Sequence, residues 1–557
     1  MNEMIRQNYI SYLKSALLLC TGILIISIII LSLVPPVSRD ALVHHLAVPK
    51  LYLKHGGIYE IPFMPFSYYP MNLHLLYMIP LYFGNDILPK FMHFVFGLLT
   101  AWFIFLYLRT RTYKLYGLLG ALIFLSTPVI LKLSTTVYVD LGEIFFSFAS
   151  IYYIFEWTRK EFRAKYLILA GIMCGLSLGT KYNGLATCFL LTLFIPVISV
   201  RSGGKNGFFK PAGYALIFLI ISMVVFSPWM IRNYAWKGNP IYPLNDKLFN
   251  PPENPLKNTD FQAEKVKMNR GFFTYRSMVY GEKGWEIALL PLRIFFQGKD
   301  GDPQYFDGRL NPFLLFLPFF AFLKTGRSMD HHVTLEKKFL LWFAVLFFCV
   351  SFFSAVLRVR YIAPVIPPLV ILSVFGLHNL FSRINDWKAF IARRTGNVLV
   401  TMAVFLMIIL NTRYLIELFE YVKPVPYLKG EVSRDEYIAH YRPEYPAMQY
   451  INENLDARAK VFFMFIGNRG YYCDREYIYD MLLIENLIRA AKRPEDISRG
   501  MKAREISHLL VYYPLFERWM MDNFTQEKQA LTRKFFQEYS RVIFYENGFG
   551  VNALRDN

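Results

Sequence analysis

Apolar stretches separated by short polar loops dominate the first three quarters of the chain. About eleven of them are long enough to cross a ~30 Å hydrocarbon core at ~1.5 Å per residue. We place them at 13–34, 88–108, 115–133, 137–157, 165–181, 184–200, 212–231, 309–324, 338–356, 361–381 and 396–416. The pattern predicts an α-helical polytopic membrane protein with about eleven transmembrane helices.

The loops between these stretches alternate in charge. The short loops rich in Lys and Arg lie at 109–114, 159–165, 201–210, 324–338 and 383–394. Because such loops stay in the cytoplasm, we expect them and the N-terminus to lie inside the cell. The loops 35–87 and 232–308 and the C-terminal segment are then external. The style of the sequence favours a bacterial inner (plasma) membrane, with the C-terminal segment in the periplasm.

Composition agrees with this class of protein. Hydrophobic residues make up 55% of the 557 positions, and the formal net charge is +20. In a soluble protein that charge would indicate nucleic acid, but here much of it lies in the cytoplasmic loops, where it sets orientation and meets anionic lipid. A nucleic-acid partner is therefore not needed to explain it.

Two further features concern processing and redox state. Four of the five cysteines fall in predicted spans and only Cys473 lies in the C-terminal segment, so we expect no intrachain disulfide outside the membrane. The first apolar run, 16–34, is too long for a signal-peptide core and has no small-residue cleavage site after it. We read it as a retained first span.

The ionisable residues near the spans collect at the external ends. They are Asp40, Asp140, Glu143, Lys181, Arg232, Arg358 and Arg360. Charged side chains are costly in hydrocarbon and mark functional sites when they occur there. Their common face predicts a site at the external surface.

Asp40 and His44 follow the first span in a segment with helical spacing, for which Ser38 is a candidate N-cap. At i and i+4 the two side chains share one face of a helix lying in the membrane interface. A carboxylate beside an imidazole can act as a general base or help to hold a divalent metal. The alternative is a helix cap with an interfacial histidine. For His74, further along the external loop, an ordinary structural role is the stronger interpretation.

Lys181 lies in a glycine-rich turn, 175–184, between two predicted spans. Glycines let a phosphate approach the backbone and a lysine supplies the countercharge, although glycines also let helices pack closely. With Arg232 and Arg360 on the same face, the turn predicts a cationic pocket at the level of the lipid headgroups. The polar segment 227–244 fits either a carbohydrate-binding surface or a structural turn.

The composition changes from apolar to mixed near residue 421. We predict strands at 459–465, 471–478, 508–513 and 541–544, and amphipathic helices at 446–455, 494–504 and 515–539. The domains are therefore a transmembrane domain over 1–420 and a small external α/β domain over 421–557. The loop 467–475 either meets the active-site opening or is a simple connection.

Several short motifs occur in order along the first 420 residues. They are Arg39-Asp40, Tyr69-Pro70, Tyr138-Val-Asp140, Gly179-Thr-Lys181, Pro228-Trp-Met-Ile-Arg232-Asn233, Gly238-Asn-Pro240 and Arg360-Tyr-Ile-Ala-Pro364. Together they resemble the GT-C class of polytopic glycosyltransferases that use polyprenyl-phosphate sugars, in particular the dolichyl-phosphate-mannose and aminoarabinose transferase families. The resemblance implies transfer of a sugar to an acceptor hydroxyl on a glycan, lipid or protein.

The resemblance also implies roles for individual residues. Asp40 would be the catalytic base, and Asp140 would orient the acceptor or assist at a metal. The expected donor-phosphate ligands are Lys181, Arg232 and Arg360, and the candidates for acceptor or sugar binding are His44, Tyr69 and Asn233. The cofactor stays open, with a divalent metal ion as one option.

Proteins of other classes remain as alternatives. A lipid-linked saccharide transporter or flippase would show two related halves, broken helices and charges within the spans. This chain shows no match between halves, and its charges lie at one face. A polymer ligase and a membrane scaffold that presents the C-terminal domain are the other readings.

Overall fold

The computed structural model describes residues 3–203, 209–251, 272–324, 330–352 and 357–555. Parts of the sequence predictions lie outside these residues. They are 353–356 of the ninth predicted span, 252–271 of the second external loop, and 204–208 and 325–329 of two basic loops.

The described chain is mainly helical. The helices of the first half are α1 (Glu3–Ser32), α2 (Ala47–His55), α3 (Asn72–Tyr82), α4 (Leu88–Arg111), α5 (Lys114–Ser126), α6 (Pro128–Ser134), α7 (Asp140–Arg159), α8 (Ala164–Leu178), α9 (Gly184–Arg201), α10 (Phe209–Lys237) and α11 (Asp246–Phe249). Those of the second half are α12 (Phe272–Tyr280), α13 (Gly284–Ala288), α14 (Leu290–Phe296), α15 (Phe313–Phe316), α16 (His331–Phe352), α17 (Ile366–Asn385), α18 (Phe390–Val422), α19 (Pro424–Leu428), α20 (Arg434–Tyr441), α21 (Tyr445–Asn454), α22 (Met481–Ala490), α23 (Pro494–Lys502), α24 (Tyr513–Asn523) and α25 (Gln526–Glu538). A π-helical turn lies at Ala41–His45, and 3₁₀ segments lie at Pro65–Tyr68, Leu317–Phe322 and Val359–Val365.

Among the described residues, six helices are long and apolar enough to cross a membrane. They are Ser11–Ser32, Leu88–Arg111, Gly184–Arg201, Lys210–Lys237, Val359–Asn385 and Phe390–Val422. The helices α5 and α6 meet at 68° and form a seventh candidate if they are one span. The bend has a local cause: Pro128 opens α6 and Thr127 before it is extended, since proline disfavours helical geometry in the residue that precedes it.

Every predicted span coincides at least in part with a helical segment, and the predicted class of an α-helical polytopic membrane protein is confirmed. The number of spans stays a prediction. The fifth predicted span is the short α8, and the eighth is α15 followed by a 3₁₀ segment, so that Phe313–Phe322 falls short of a full crossing.

The chain divides into two compact units. The first contains Met1–Ser32, Tyr69–Leu73 and Lys90–Lys423, and the second contains Leu33–Tyr68, His74–Pro89 and Pro424–Asn557. The division after Lys423 lies close to the boundary predicted from composition. The loop 35–87, by contrast, clusters largely with the C-terminal segment, whereas its position in the sequence assigns it to the transmembrane domain.

In the first unit, α8 and α10 pack through glycines. A Cβ atom added at Gly175 would lie 2.5 Å from Val225 Cβ and 2.7 Å from the Ser222 carbonyl oxygen. One turn earlier, the Ser222 hydroxyl donates to the Gly171 carbonyl oxygen at 3.1 Å. Small residues four apart let two membrane helices approach until their backbones touch. These glycines therefore set the spacing of the two helices.

Helix α7 passes through the first unit, with ionic groups at both ends. Its 20 residues span about 30 Å. At its C-terminal end Arg159 donates to Glu336 at 2.8 Å, and Arg111 of α4 donates to the same carboxylate at 2.8 Å. Glu336 is 1% exposed, so two guanidinium groups neutralise a buried charge and join α4, α7 and α16. Asp140 and Glu143 begin the opposite end.

The second unit contains a five-stranded sheet. Its strands are β1 (Lys460–Met464), β2 (Glu476–Ile478), β3 (His508–Tyr512), β4 (Ser540–Glu546) and β5 (Phe549–Leu554), in the order β2-β1-β3-β5-β4. β1 runs parallel to β2 and β3, and β5 is antiparallel to β3 and β4. The small C-terminal α/β domain predicted from the sequence is present.

The details of this domain differ from the prediction in three places. Only the last three residues of the predicted strand 471–478 pair with a neighbour. The predicted helix 515–539 is two helices, because the Thr525 side chain caps a new one by accepting the Lys528 amide. Strand β5 and helices α19, α20 and α22 were not predicted. Asn547 and Gly548, both with positive φ, make the tight turn into β5.

Within the second unit, residues of the loop 35–87 bind the C-terminal segment. Lys50 Nζ donates to the Tyr471 carbonyl oxygen at 2.6 Å and to Asp474 Oδ1 at 2.7 Å. Arg434 pairs with Asp86 at 2.5 Å, and the Tyr472 hydroxyl donates to the Pro36 carbonyl oxygen at 2.8 Å. The loop 467–475 therefore has a structural role in holding the loop 35–87.

The glycine contact predicts a stability difference between two Gly→Ala substitutions. Gly175→Ala should destabilise the detergent-solubilised protein by about 1–3 kcal/mol, because the added methyl group forces α8 and α10 apart. Thermal unfolding followed by intrinsic fluorescence measures it. Gly213→Ala in α10 is the matched control, since a Cβ there meets nothing within 4 Å. Equal melting temperatures for the two variants would contradict the assigned contact.

Candidate active site

An ion pair between Asp140 and Lys181 lies at the start of α7. Lys181 Nζ is 2.6 Å from Asp140 Oδ1. Asp140 is 1% exposed, whereas the Lys181 side chain is 18% exposed. An ammonium group has three donors, so Lys181 can keep Asp140 and still bind a second anion from its accessible side.

Glu143, one turn further along α7, is the second carboxylate near this lysine. It is fully buried, and its Oε2 lies 3.7 Å from Lys181 Nζ. Neither of its carboxylate oxygens accepts a hydrogen bond from the residues that the structure describes. Two carboxylates therefore share one ammonium group, at a helix N-terminus whose dipole favours negative charge.

His93 of α4 supports the first turn of α7. Its Nε2 accepts the Leu141 backbone N–H at 2.9 Å, and its Nδ1 lies 3.0 Å from the carbonyl oxygens of Leu133 and Thr136. Because carbonyl oxygens only accept, Nδ1 carries the hydrogen and the ring is neutral. His93 thus satisfies an amide that the helix start leaves unpaired. The sequence analysis missed it, although a lone histidine within an apolar span was a signal.

Asn72 holds the turn that carries Lys181. The Asn72 backbone N–H donates to the Gly179 carbonyl oxygen at 2.9 Å. The Asn72 side-chain oxygen accepts the Trp229 indole N–H at 2.8 Å. A side chain at Gly179 would collide with Asn72. Gly179 is therefore required so that the turn can approach Asn72 closely. This is the helix-packing role that the sequence allowed as the alternative to phosphate binding.

Arg360 belongs to the same group of charges. Its guanidinium lies 5.0 Å from the centre of the Tyr138 ring and 5.4 Å from that of Tyr361. It interacts electrostatically with both Asp140 and Lys181. Lys181 Nζ in turn lies 5.1 Å from the Tyr361 ring. The structure thus brings together Asp140, Lys181 and Arg360, which the sequence places up to 220 positions apart.

A second group contains Tyr69, Tyr182, Arg232 and Asn233. Arg232 donates to Asn233 Oδ1 at 2.9 Å and to the Tyr69 carbonyl oxygen at 3.1 Å. Asn233, fully buried, donates to the Tyr182 hydroxyl at 3.0 Å. The rings of Tyr69 and Tyr182 meet edge to face at 5.3 Å. These contacts fix the segment before α3 against the end of α10.

Tyr69 connects the two groups electrostatically. Burial raises the pKa of the Tyr69 phenol, and Tyr361 raises it further, while Lys181 lowers it. The hydroxyl therefore stays protonated at neutral pH and can donate a hydrogen bond. This is a property that binding to a sugar or phosphate oxygen would use.

Asp40 and His44 lie in the second unit, with Asp40 half-buried at the entrance to the π-helical turn Ala41–His45. The helical run begins at Arg39, and the Leu42 backbone amide donates to the Ser38 carbonyl oxygen at 3.2 Å, so Ser38 directly precedes the helix as predicted. The Leu46 amide donates to the Ala41 carbonyl oxygen at 2.9 Å, which is the i to i+5 bond of a π-helix. Such turns occur mostly as single bulges and often at functional sites.

Three histidine rings, two of them from this turn, pack against one another. The rings of His44 and His45 lie 4.0 Å apart, and His44 stacks on Phe66 at 4.5 Å. His45 Nδ1 and His74 Nε2 share a hydrogen bond of 2.8 Å. His74 therefore has a specific partner that its isolated position in the sequence did not reveal. No group of three or more His, Cys, Asp and Glu side chains in the described ranges has the arrangement of a metal site.

Comparisons with known proteins fit this geometry. Residues 70–231 match the family model described as dolichyl-phosphate-mannose-protein mannosyltransferase. That segment contains Asp140, Glu143 and Lys181 together with His93. Comparison with curated protein sequences finds no match.

Solved structures share the fold over nearly the whole chain. ArnT from Cupriavidus metallidurans in the apo state is similar with a TM-score of 0.54 and 12% identity, over 97% of this chain and 98% of that one. The same protein bound to undecaprenyl phosphate gives 0.52 and 13%, over 98% of both chains. The apo oligosaccharyltransferase of Archaeoglobus fulgidus gives 0.51 and 13%, over 97% of this chain and 74% of that one.

The family model and the shared fold agree with the order of motifs along the sequence. The resemblance is thereby confirmed: the chain is similar to the GT-C membrane glycosyltransferases that use polyprenyl-phosphate donors, and its residues 70–231 carry the mannosyltransferase-family match.

Proposed function

We propose that this protein transfers a sugar from a polyprenyl-phosphate donor to an acceptor hydroxyl at the external face of the membrane. The observation that carries the proposal is the buried Asp140–Lys181 pair with Arg360 beside it. Asp140 begins the 20-residue helix α7, and both residues lie inside the segment that matches the mannosyltransferase family. The ArnT structure with bound undecaprenyl phosphate supports a donor in which the sugar is attached to a lipid phosphate.

The charges suit the leaving group of this reaction. When the bond from the sugar C1 to the phosphate oxygen breaks, a phosphodiester with one negative charge becomes a monoester with two. A cation is therefore worth more in the transition state than in the bound donor. Lys181 and Arg360 supply that positive charge, and Asp140 holds the lysine in position.

Arg232 is already hydrogen-bonded to Asn233 and to the Tyr69 backbone, so it acts chiefly by positioning Tyr69 and Asn233 for the sugar or acceptor.

The base in this proposal is Asp40. Its carboxylate takes the proton of the acceptor hydroxyl while the acceptor oxygen bonds to C1, and the electron pair of the breaking bond leaves on the phosphate. His44, at i+4, positions the acceptor. Phe66 stacks on His44, and the tilted ring of His45 packs against it, so both hold the His44 ring in place.

The acceptor in this proposal is a glycan, lipid or protein hydroxyl, and the transferred group is a hexosyl or pentosyl unit. The basic loops support an inner-membrane location with the N-terminus in the cytoplasm, and they favour a periplasmic site and a periplasmic C-terminal domain. Lipid-linked donors fit that location because nucleotide sugars are made in the cytoplasm.

Asp40→Asn tests the base. Transfer of radiolabelled sugar from a panel of polyprenyl-phosphate donors into acceptor-containing membranes should fall by at least ~10²-fold, since the amide cannot take the proton. Undecaprenyl-phosphate binding, followed by thermal shift, should persist. Asp522→Asn, on an exposed helix surface of the same unit, is the control and should transfer normally. Wild-type activity retained in Asp40→Asn would remove Asp40 from this role.

A wild-type protein that cleaves no donor in that assay, but moves intact lipid-linked saccharide across proteoliposome membranes, would replace the transferase by a flippase. Both readouts are therefore taken on the same preparation.

Lys181 and Asp140 are tested together as a double-mutant cycle. Lys181→Gln should lower kcat by about 10²–10³-fold with little change in KM, because its charge is needed most in the transition state. Asp140→Asn should lower kcat by up to ~10²-fold by misplacing the lysine. The double variant should be no worse than Lys181→Gln alone, since coupled residues are not additive.

Lys132→Gln is the matched control for this cycle. Lys132 is another partly exposed lysine that pairs with two aspartates, Asp300 at 2.9 Å and Asp307 at 3.1 Å. Its removal should change stability and leave kcat within about twofold, because no reacting group depends on it. Additive losses at Lys181 and Asp140 would show that the aspartate does not act through the lysine.

A further inference from the structure

A cavity of ≈ 170 Å³ lies between α9 and α16 in the first unit. Its apolar wall is formed by Phe194, Val197, Ile198, Leu335, Phe339 and Trp342. Two of these lining rings, Phe194 and Phe339, pack at 4.8 Å, so the two helices are in contact there. A cavity of about 150 Å³ lined by apolar side chains stays dry and accepts a benzene-sized group. The space is thus suited to a segment of hydrocarbon chain and too narrow for a helix.

Two cations complete the lining. Arg201, the last residue of α9, and Lys338, in the second turn of α16, are both exposed and both line the cavity. Within the described ranges neither makes an ion pair, and the nearby Glu336 is turned into the bundle to Arg111 and Arg159. The cavity mouth therefore carries positive charge that the described protein does not neutralise.

The level of this cavity along the bundle is defined by the helix ends. Arg201 ends α9, just as Arg111 ends α4 and Arg159 ends α7, and all three helices run in the direction that the loop charges assign to the cytoplasmic face. Trp342 and Val197 on the outer wall are 56% and 53% exposed. An exposed tryptophan beside cations is the arrangement found at the lipid headgroup level.

We propose that this cavity binds an anionic glycerophospholipid, with part of one acyl chain between α9 and α16 and the phosphate bound by Arg201 and Lys338. The guanidinium group offers paired donors to phosphate oxygens, and the ammonium group adds a point charge. A phospholipid with a zwitterionic headgroup would fill the same apolar space. Only a net negative headgroup balances both cations. The site lies at the opposite end of the helices from Lys181 and does not depend on the proposed transferase activity.

Native mass spectrometry of the full-length protein in detergent tests the site, with dioleoyl phosphatidylglycerol and dioleoyl phosphatidylcholine as probes. The wild type should hold at least one phosphatidylglycerol molecule roughly 30-fold more tightly than phosphatidylcholine, from about 1 kcal/mol for each of two cations. In Arg201→Gln/Lys338→Gln that preference should disappear. Melting temperature with added phosphatidylglycerol should rise in the wild type and not in this variant.

Two controls separate this site from general attraction to a basic protein. Lys388→Gln/Arg394→Gln removes two exposed cations from another basic loop and should keep the preference. Val197→Trp fills the cavity without changing charge and should lose the tight phosphatidylglycerol molecule while folding normally by circular dichroism. Equal binding of both lipids to the wild type, or the same loss of preference in both charge variants, would overturn the proposal.

Discussion

The cost of burying charge in a membrane protein organises the first unit. Lys181 and Asp140 meet at 2.6 Å, where the carboxylate is 1% exposed. Removing either partner would leave an uncompensated buried charge, which is strongly destabilising. Because Glu143 and Arg360 belong to the same group, the N-terminus of α7, the turn after α8 and the segment before α17 have to be placed together. Their side chains, which resist burial individually, are stable there only as a set.

The rest of the helical unit supports that set at fixed distances. α7 carries the candidate site at one end and the Arg111–Glu336–Arg159 network at the other, so both ends of the helix are tied by charge. Glycines at the α8 and α10 contact bring the Lys181 turn close to its neighbours. His93 completes the first turn of α7 from a third helix. Rigid elements of this kind are what a site needs if it is to stabilise a short-lived charge.

Much of the candidate site could be predicted from residue type and position. Asp140, Lys181 and Arg360 stood out because ionisable residues next to apolar spans are rare and, in the predicted topology, occupied one face. The roles of Asn72 and His93 could not be predicted, since a polar residue in an apolar stretch does not reveal its partner. The π-helical turn after Asp40 was also missed: an i, i+4 pattern fits an α-helix and a single π turn almost equally well. His74 appeared isolated because its partner His45 lies 29 positions away.

The sequence by itself determined the membrane class, the approximate positions of the helices and the alternation of basic loops. These properties depend on the average hydropathy and charge of about 20 neighbouring residues. Insertion into a bilayer depends on each such segment and its flanking loops, and not on distant contacts. It also determined the change to a mixed α/β composition after residue 420. Only the tertiary structure decided which carboxylate Lys181 binds, and that the loop 35–87 packs on the C-terminal segment through contacts such as Lys50 with Asp474, 424 positions apart. Contacts of that kind depend on side-chain geometry in three dimensions, and no local pattern in the sequence encodes them.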